Sequence, residues 1–283
     1  MENKKFKTIR ILFRKKIKYF ITNSSILLSY SKEKNKLLFG FKLILIFLKT
    51  EIIFLKEKNE SAKEQNYWIK DIDNKIDPLK KHYLKKYDFN FMDAFSSNIN
   101  MWSKFINKTK IRNKNINYLE IGCFEGMSGV FILENLKKAR CFFVDPFLVY
   151  DELKDFQGLN EEKFDIIFTN FMNNIEDFKE RSKVFRETSD SFFKGNDENF
   201  DLIYIDGSHF GDDVYQDAVN SLKFLNNGGH IIFDDFFWYH YKLISDNPIG
   251  GIFQFLVESK KNIKIKYLGN QLIIQKNSKN FHP

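Results

Sequence analysis

Three carboxylates, Asp206, Asp234 and Asp235, each follow a short apolar run, and a histidine, His209, stands three residues after the first. The runs Leu202–Ile205 and His230–Phe233 read as buried parallel strands, which puts the acids at strand C-terminal ends. Open α/β sheets bind ligands there. Adjacent strands lie about 4.8 Å apart, so the carboxylates should converge. Clustered carboxylates repel one another unless a cation or a proton sits among them. A hard divalent ion with oxygen ligands, Mg²⁺ above all, suits Asp206, Asp234 and Asp235 as a metal site. The competing use of such acids is to cap the helices and turns that follow. An imidazole titrates near neutrality, so His209 could take a proton from a hydroxyl; it could also be an ordinary loop histidine.

A second constellation lies upstream. Tyr118-Leu119-Glu120-Ile121-Gly122-Cys123-Phe124-Glu125-Gly126-Met127-Ser128 reads as a strand, a turn and the start of a helix. Gly122 and Gly126 let the backbone approach a ligand closely, and the next helix offers free N–H groups. Their spacing departs from the three-glycine dinucleotide fingerprint, which lowers an NAD reading. Asp145 ends the following apolar run, 23 residues beyond Gly122. A carboxylate there can accept both hydroxyls of a ribose, or cap the turn before Pro146. The aromatic run Phe236-Phe237-Trp238-Tyr239-His240-Tyr241 could line an acceptor pocket or pack as a lid.

These residues need a scaffold. Strands are expected at Asn117–Ile121, Cys141–Val144, Lys183–Arg186, Leu202–Ile205 and His230–Phe233. Helices are expected at Gly129–Lys138, through Phe164, Ile167, Phe171, Ile175 and Phe178, at Asp213–Leu225 and at Ile252–Glu258. Near the end, Ile263–Leu268 and Gln271–Gln275 flank Gly269-Asn270, a hairpin signal. The fold class predicted is α/β, a Rossmann-like, doubly wound and mostly parallel sheet closed by an antiparallel hairpin.

With those pieces in place, residues 98–276 resemble the class I S-adenosylmethionine (SAM) methyltransferases. The narrower resemblance is to metal-assisted O-methyltransferases of the catechol and macrocin types. It implies SAM as cofactor, with Glu120 facing the methionine ammonium and Gly122, Gly126 and Ser128 cradling the methionine part. It also implies Asp145 at the ribose and Ser189 or Asp190 near the adenine. Catechol-type enzymes carry metal ligands at the positions of Asp206, Asp234 and Asp235, often with Asn at the last. Macrocin-type enzymes show an aspartate followed three residues later by a histidine base, matched here by Asp206 and His209. The implied reaction is methyl transfer to a hydroxyl of a small polyol or sugar. A metal-independent enzyme, or a silent methyltransferase fold used as a scaffold, are the rival readings.

Charge placement narrows the partners. The 283-residue chain has a net charge of +8 from 45 Lys/Arg and 37 Asp/Glu. Residues 1–58 hold 15 basic and 4 acidic residues, a net +11, and leave the remainder at −3. Nucleic acid is therefore not the expected substrate, because such enzymes carry basic residues about the catalytic face. Within 1–58, Lys42, Lys49 and Lys56 recur along one side of an apolar stretch. That pattern suits a helix on a membrane surface, or one packed on the catalytic domain or on a second subunit in a homo-oligomer. Residues 59–92 read as a linker or surface helix, 93–277 as the methyltransferase domain and 278–283 as a tail. The two cysteines, Cys123 and Cys141, fall at opposite ends of neighbouring strands, roughly 16 Å apart, too far to bridge. A reduced, cytoplasmic setting follows as the expectation, with contact at the inner face of a membrane through the basic arm.

Overall fold

Seven short apolar runs become strands: β1 (Asn117–Ile121), β2 (Arg140–Val144), β3 (Ser182–Phe185), β4 (Phe200–Ile205), β5 (Leu225–Phe233), β6 (Ile263–Leu268) and β7 (Leu272–Lys276). They form one sheet in the order β3-β2-β1-β4-β5-β7-β6, parallel through β5 and antiparallel at β7 and β6. In this computed structural model residues 78–149, 159–238 and 240–278 are described, with Ile21 and Ile44 as isolated positions. The Rossmann-like sheet closed by a hairpin is the architecture expected from the sequence.

Side chains alternate between the two faces of the strands, and each face is buried. Tyr118, Phe143, Leu202, Tyr204 and Ile232 pack with α1 (Pro78–Lys86), α2 (Ile99–Thr109), α3 (Met127–Asn135) and α4 (Glu161–Ile175). Leu119, Phe142, Ile203, Ile231 and Phe233 pack on the other face with α5 (Ser189–Gly195), α6 (Gly211–Phe224) and α7 (Pro248–Glu258). Burial on both faces explains why the parallel strands read as continuous apolar runs.

Hydrogen bonding runs one residue past each strand end. Gly122 N–H donates to Val144 C=O (2.9 Å), Asp145 N–H to Phe185 C=O (3.1 Å), Asp206 N–H to Ile121 C=O (2.8 Å) and Asp234 N–H to Ile205 C=O (3.0 Å). Four residues singled out for chemistry thus have their backbones fixed by the sheet.

Several elements differ from expectation. β5 begins five residues early and takes in Gly228 and Gly229, pairing Leu225 with Phe200 across an irregularity in register. The stretch Ser189-Asp190 opens a short helix, α5, capped by Thr188, whose side chain accepts from Ser191 N–H. With Phe192 and Phe193 as its buried residues, it has no periodicity to reveal it. The packed body also begins before residue 93. Tyr83 of α1 is buried against Phe131, ring centroids 5.8 Å apart. Both cysteines are free and buried. The basic arm, and with it the expected helix on a membrane surface or packed on protein, lies outside the described residues, Ile21 and Ile44 apart. Among the described residues no helix is long and apolar enough to cross a membrane.

His230 on β5 faces the ring of Phe105 edge-on at 5.2 Å. Burial, with a smaller contribution from Lys266, pushes its pKa down to about 4. A depressed folded pKa gives stability that is present above the unfolded value near 6.5 and lost as pH falls through about 4. Denaturant unfolding from pH 7 to 4 should therefore show a loss of at most about 3 kcal/mol from this group. His230→Phe should flatten that limb; an unchanged acid limb in the variant would assign the loss elsewhere.

Candidate active site

A cavity of about 630 Å³ opens where β1, β2, β4 and β5 end. Ile121, Gly122 and Phe124 form its wall after β1, Val144 and Asp145 after β2, and Thr188, Ser189 and Asp190 after β3. Asp206 and His209 follow β4, and Asp235, Trp238 and His240 follow β5. Met92 and Ala94, from upstream of the sheet, close one side.

The glycine loop is bound to Asp145. Asp145 Oδ2 accepts from Cys123 N–H (2.7 Å) and Phe124 N–H (3.1 Å), and Oδ1 accepts from Phe147 N–H (2.7 Å). Burial raises the Asp145 pKa, and these backbone donors partly offset it. The bonds hold Phe124 at φ 47°, a left-handed conformation costly for a bulky residue. Gly122 serves a close approach between loops. With φ +84°, a Cβ there would stand 2.1 Å from the Asp206 carbonyl oxygen.

Glu120 lies beneath the loop and off the cavity wall. It is fully buried and accepts from Tyr118 Oη (2.8 Å) and Ser128 Oγ. Burial pushes its pKa up to about 8, against the lowering effect of Ser128 and Tyr118. Gly126 too is absent from the wall; it starts α3 at φ 83° and a Cβ there would meet Phe171 at 2.8 Å. Both Ser128 and Glu120 therefore shape the loop from behind in this ligand-free geometry.

The acidic trio divides. Asp206 and Asp235 face the cavity with His209, and one ligand atom from each of the three lies within 4.8 Å of the others. His209 Nε2 is 3.0 Å from Asp235 Oδ2, and its ring stacks on Trp238 at 4.5 Å. Asp235 reaches this position through φ 50°, a left-handed turn that Asp tolerates better than most residues. Asp234, expected as a metal ligand, points the other way. It is 7% exposed, and its Oδ2 takes Tyr204 Oη, Gln271 Nε2 (2.8 Å) and Asn98 Nδ2 (3.2 Å). Its Oδ1 accepts from Asp235 N–H at 2.7 Å. Both of its oxygens are engaged by protein donors, so the groups that meet at the cavity are Asp206, His209 and Asp235, with Asp234 beneath them. Tyr204 also touches Asp206 Oδ2 at 2.8 Å. Burial, then the negative neighbours Asp234 and Asp235, push Asp206 well above the ordinary carboxylate range. A group of this kind is relieved by a cation.

Asp217 was not foreseen. It lines the cavity from α6, is buried, and has its pKa pushed up to about 7 by burial, with Ser189 as hydrogen-bond partner. The signal was present: Val214, Asp217, Ala218 and Ser221 share one helix face, so an acid sat at a core-facing position. The aromatic run divides between core and cavity. Phe236 and Phe237 are buried in the core while Trp238 and His240 reach the cavity.

The residues present suit a nucleoside-sized ligand. The cavity falls in the usual range for small-molecule sites, with Ile121, Val144 and Phe164 as apolar wall and Asp145, Ser189 and Asp190 as polar groups. Two carboxylates and an imidazole suit a divalent ion.

The sheet order, the terminal hairpin and a cavity at the parallel strand ends define the class I methyltransferase fold. Residues 119–236 match the family model described as a methyltransferase domain. An uncharacterised protein of Acanthamoeba polyphaga mimivirus is 30% identical over 121 residues, 43% of this chain and 52% of that protein. A ribosomal RNA small subunit methyltransferase A of Streptococcus thermophilus is 28% identical over 106 residues, 35% of this chain and 36% of that enzyme. The chain thus spans about half the length of the first relative and about a third of the second. A solved Klebsiella pneumoniae protein assigned as an O-methyltransferase superposes with a TM-score of 0.50 at 13% identity, covering 76% of this chain and 100% of that one. That likeness is one of fold.

Two outcomes follow from this geometry. Gly122→Ala should cost several kcal/mol, or prevent folding, because the methyl group meets backbone and not a movable side chain. Thermal melting reads it, and a shift under about 2 °C would show that the two loops are free to part. The second concerns pH. Folded pKa values raised to about 8 for Glu120 and about 7 for Asp217 favour the neutral acids in the folded state. The stability they give is complete below their unfolded values near 4 and is lost as pH rises through 7 to 8. Each group contributes about 1.4 kcal/mol per pH unit while it titrates. Ligand-free protein should weaken from pH 5.5 to 8.5, and Glu120→Gln should lessen that slope; a rise in stability over this range contradicts it.

Proposed function

We propose that this chain is a SAM-dependent O-methyltransferase acting on a hydroxyl of a small polyol or sugar, with a divalent cation, Mg²⁺, at Asp206 and Asp235. The observation that carries the reading is the gathering of Asp206, His209 and Asp235 on one wall of a cavity that begins at the glycine loop. SAM would supply a methyl group on a sulfonium: the acceptor oxygen would bond to the methyl carbon as the S–CH₃ bond breaks, its electron pair staying on sulfur, and S-adenosylhomocysteine would leave. A divalent ion on the two carboxylates lowers the pKa of a hydroxyl beside it.

The protein's own contribution is positional and electrostatic. The loop held by Asp145 forms the donor side, with Asp145 assigned to the ribose and Ser189 and Asp190 further along the wall. His209 receives the hydroxyl proton at Nδ1, since its Nε2–H is directed at the Asp235 carboxylate. Its pairing with Asp235 and its stack on Trp238 fix the ring plane, so that little reorientation is left for the reacting step. Trp238 and His240, rings 5.7 Å apart and 22° from parallel, give the flat surface on which a sugar face packs. The residue body outside 1–58 carries −3, which favours a neutral acceptor over a nucleic acid.

A second reading has its own support. A ring nitrogen of His209 lies within 4.8 Å of a carboxylate oxygen of each aspartate, which suits it as a third ligand in place of the base.

Dialysis against EDTA should abolish methyl transfer to a panel of sugars and polyols, and Mg²⁺ should restore it. Full activity in excess EDTA would contradict the metal. Asp206→Asn and Asp235→Asn should remove turnover while leaving SAM affinity within a few-fold. His209→Ala should lower turnover by about 10²–10⁴-fold, partly recovered at higher pH. If His209→Ala instead raises the Mg²⁺ requirement at constant saturated rate, the ligand reading replaces the base.

A further inference from the structure

The residues 87–95 have no regular secondary structure, yet two of them, Met92 and Ala94, form part of the cavity wall. An irregular segment must find partners for its backbone N–H groups elsewhere. Here two side chains provide them. Glu125 Oε1 accepts from Asn90 N–H (2.9 Å), and its Oε2 accepts from Phe91 N–H (3.0 Å). Asn174 of α4 pairs with Asp88 in both directions, accepting from its N–H at 2.8 Å and donating to its C=O at 2.9 Å.

Glu125 belongs to the glycine loop, between Phe124, which lines the cavity, and Gly126, which starts α3. It is 1% exposed, and Asn170 Nδ2 adds a third donor at 2.9 Å. Asn174 Nδ2 also donates to the Glu125 carbonyl at 2.9 Å. One buried carboxylate therefore joins the loop on one side of the cavity to the segment on the other. A buried charge with three donors is costly to disturb, since losing it orphans two backbone N–H groups.

We propose that Glu125 is a positioning residue for donor binding: it fixes residues 87–95 as a strap whose Met92–Ala94 end closes the SAM-binding cavity. The inference rests on the donor reading above. It assigns Glu125 no contact with the donor and no part in the methyl transfer. The donor-site geometry depends on the strap because Glu125 holds both walls at once; without it Phe124 and Met92 move independently.

The test compares wild type with Glu125→Gln, and with Glu125→Asp should the first not fold. S-adenosylhomocysteine is the probe for calorimetry, and backbone exchange over 87–95 is followed by mass spectrometry. Neither replacement can satisfy both strap N–H groups: the amide presents a donor to one of them, and the shorter acid falls short of their reach. Expected are roughly 10-fold or greater weakening of S-adenosylhomocysteine binding and faster exchange at Asn90 and Phe91. With turnover assayed, KM for SAM should rise while kcat at saturating SAM stays near wild type. A merely structural Glu125 would lower the melting temperature and leave the affinity of the folded protein unchanged. Affinity within two-fold of wild type, with the strap loosened, overturns the proposal. Failure of wild type itself to bind S-adenosylhomocysteine overturns the donor reading, while exchange still reports whether Glu125 pins the strap.

Discussion

Three separate stretches of the chain meet at the carboxylate of Asp234. Asn98 arrives from the turn before α2, Tyr204 from β4 and Gln271 from the turn between β6 and β7. Behind Gln271 stands the indole N–H of Trp102, donating to Oε1 at 2.8 Å. A buried acid of this kind is tolerated because its oxygens are supplied with donors, and it costs several kcal/mol if one partner is removed. The surface consequence is at Asp206 and Asp235. Tyr204 passes from Asp234 to Asp206, and Asp235 is held by its own N–H on Asp234 Oδ1. The two carboxylates that face the cavity are thus aimed from below by one that does not.

That arrangement separates two tasks along one rim of the sheet. On the β1–β2 side, the carboxyl groups of Asp145 and Glu125 accept from backbone N–H groups and so shape the glycine loop. On the β4–β5 side, Asp206 and Asp235 turn their carboxyl groups toward the cavity. The two halves are locked together where Gly122 meets the backbone of Asp206 and Gly207, too close for any side chain. The two sides of the cavity cannot drift apart without opening that contact, and in the proposed reaction the proximity of donor and acceptor depends on it.

The parallel strands were legible because burial on both faces makes them unbroken apolar runs, and the residues singled out at and beyond their ends named part of the cavity wall in advance. Asp145, Ser189, Asp190, Asp206, His209 and Asp235 all reach it. What sequence could not distinguish was the direction of two adjacent aspartates. Asp234 and Asp235 have the same chemistry and position, and a positive φ at the second decides which one faces solvent. Glu120 and Ser128 were placed by resemblance at the donor, whereas burial turns them toward each other and Tyr118. Glu125 and Asn174 escaped notice because their partners, 34 to 86 residues away, are backbone atoms of an irregular segment, for which no residue pattern exists. Short helix α5 was missed for a simpler reason: seven residues are too few to display a period.

The central claim is that Asp206 and Asp235 hold a cation beside a donor cavity while Asp234 supports them from the core. An anomalous difference map from crystals grown with Mn²⁺ and S-adenosylhomocysteine addresses it in one measurement. The account predicts a single peak about 2.1 Å from oxygens of Asp206 and Asp235, with the nucleoside against Asp145. A peak ligated by Asp234, or a nucleoside bound with no metal peak at saturating Mn²⁺, would contradict it.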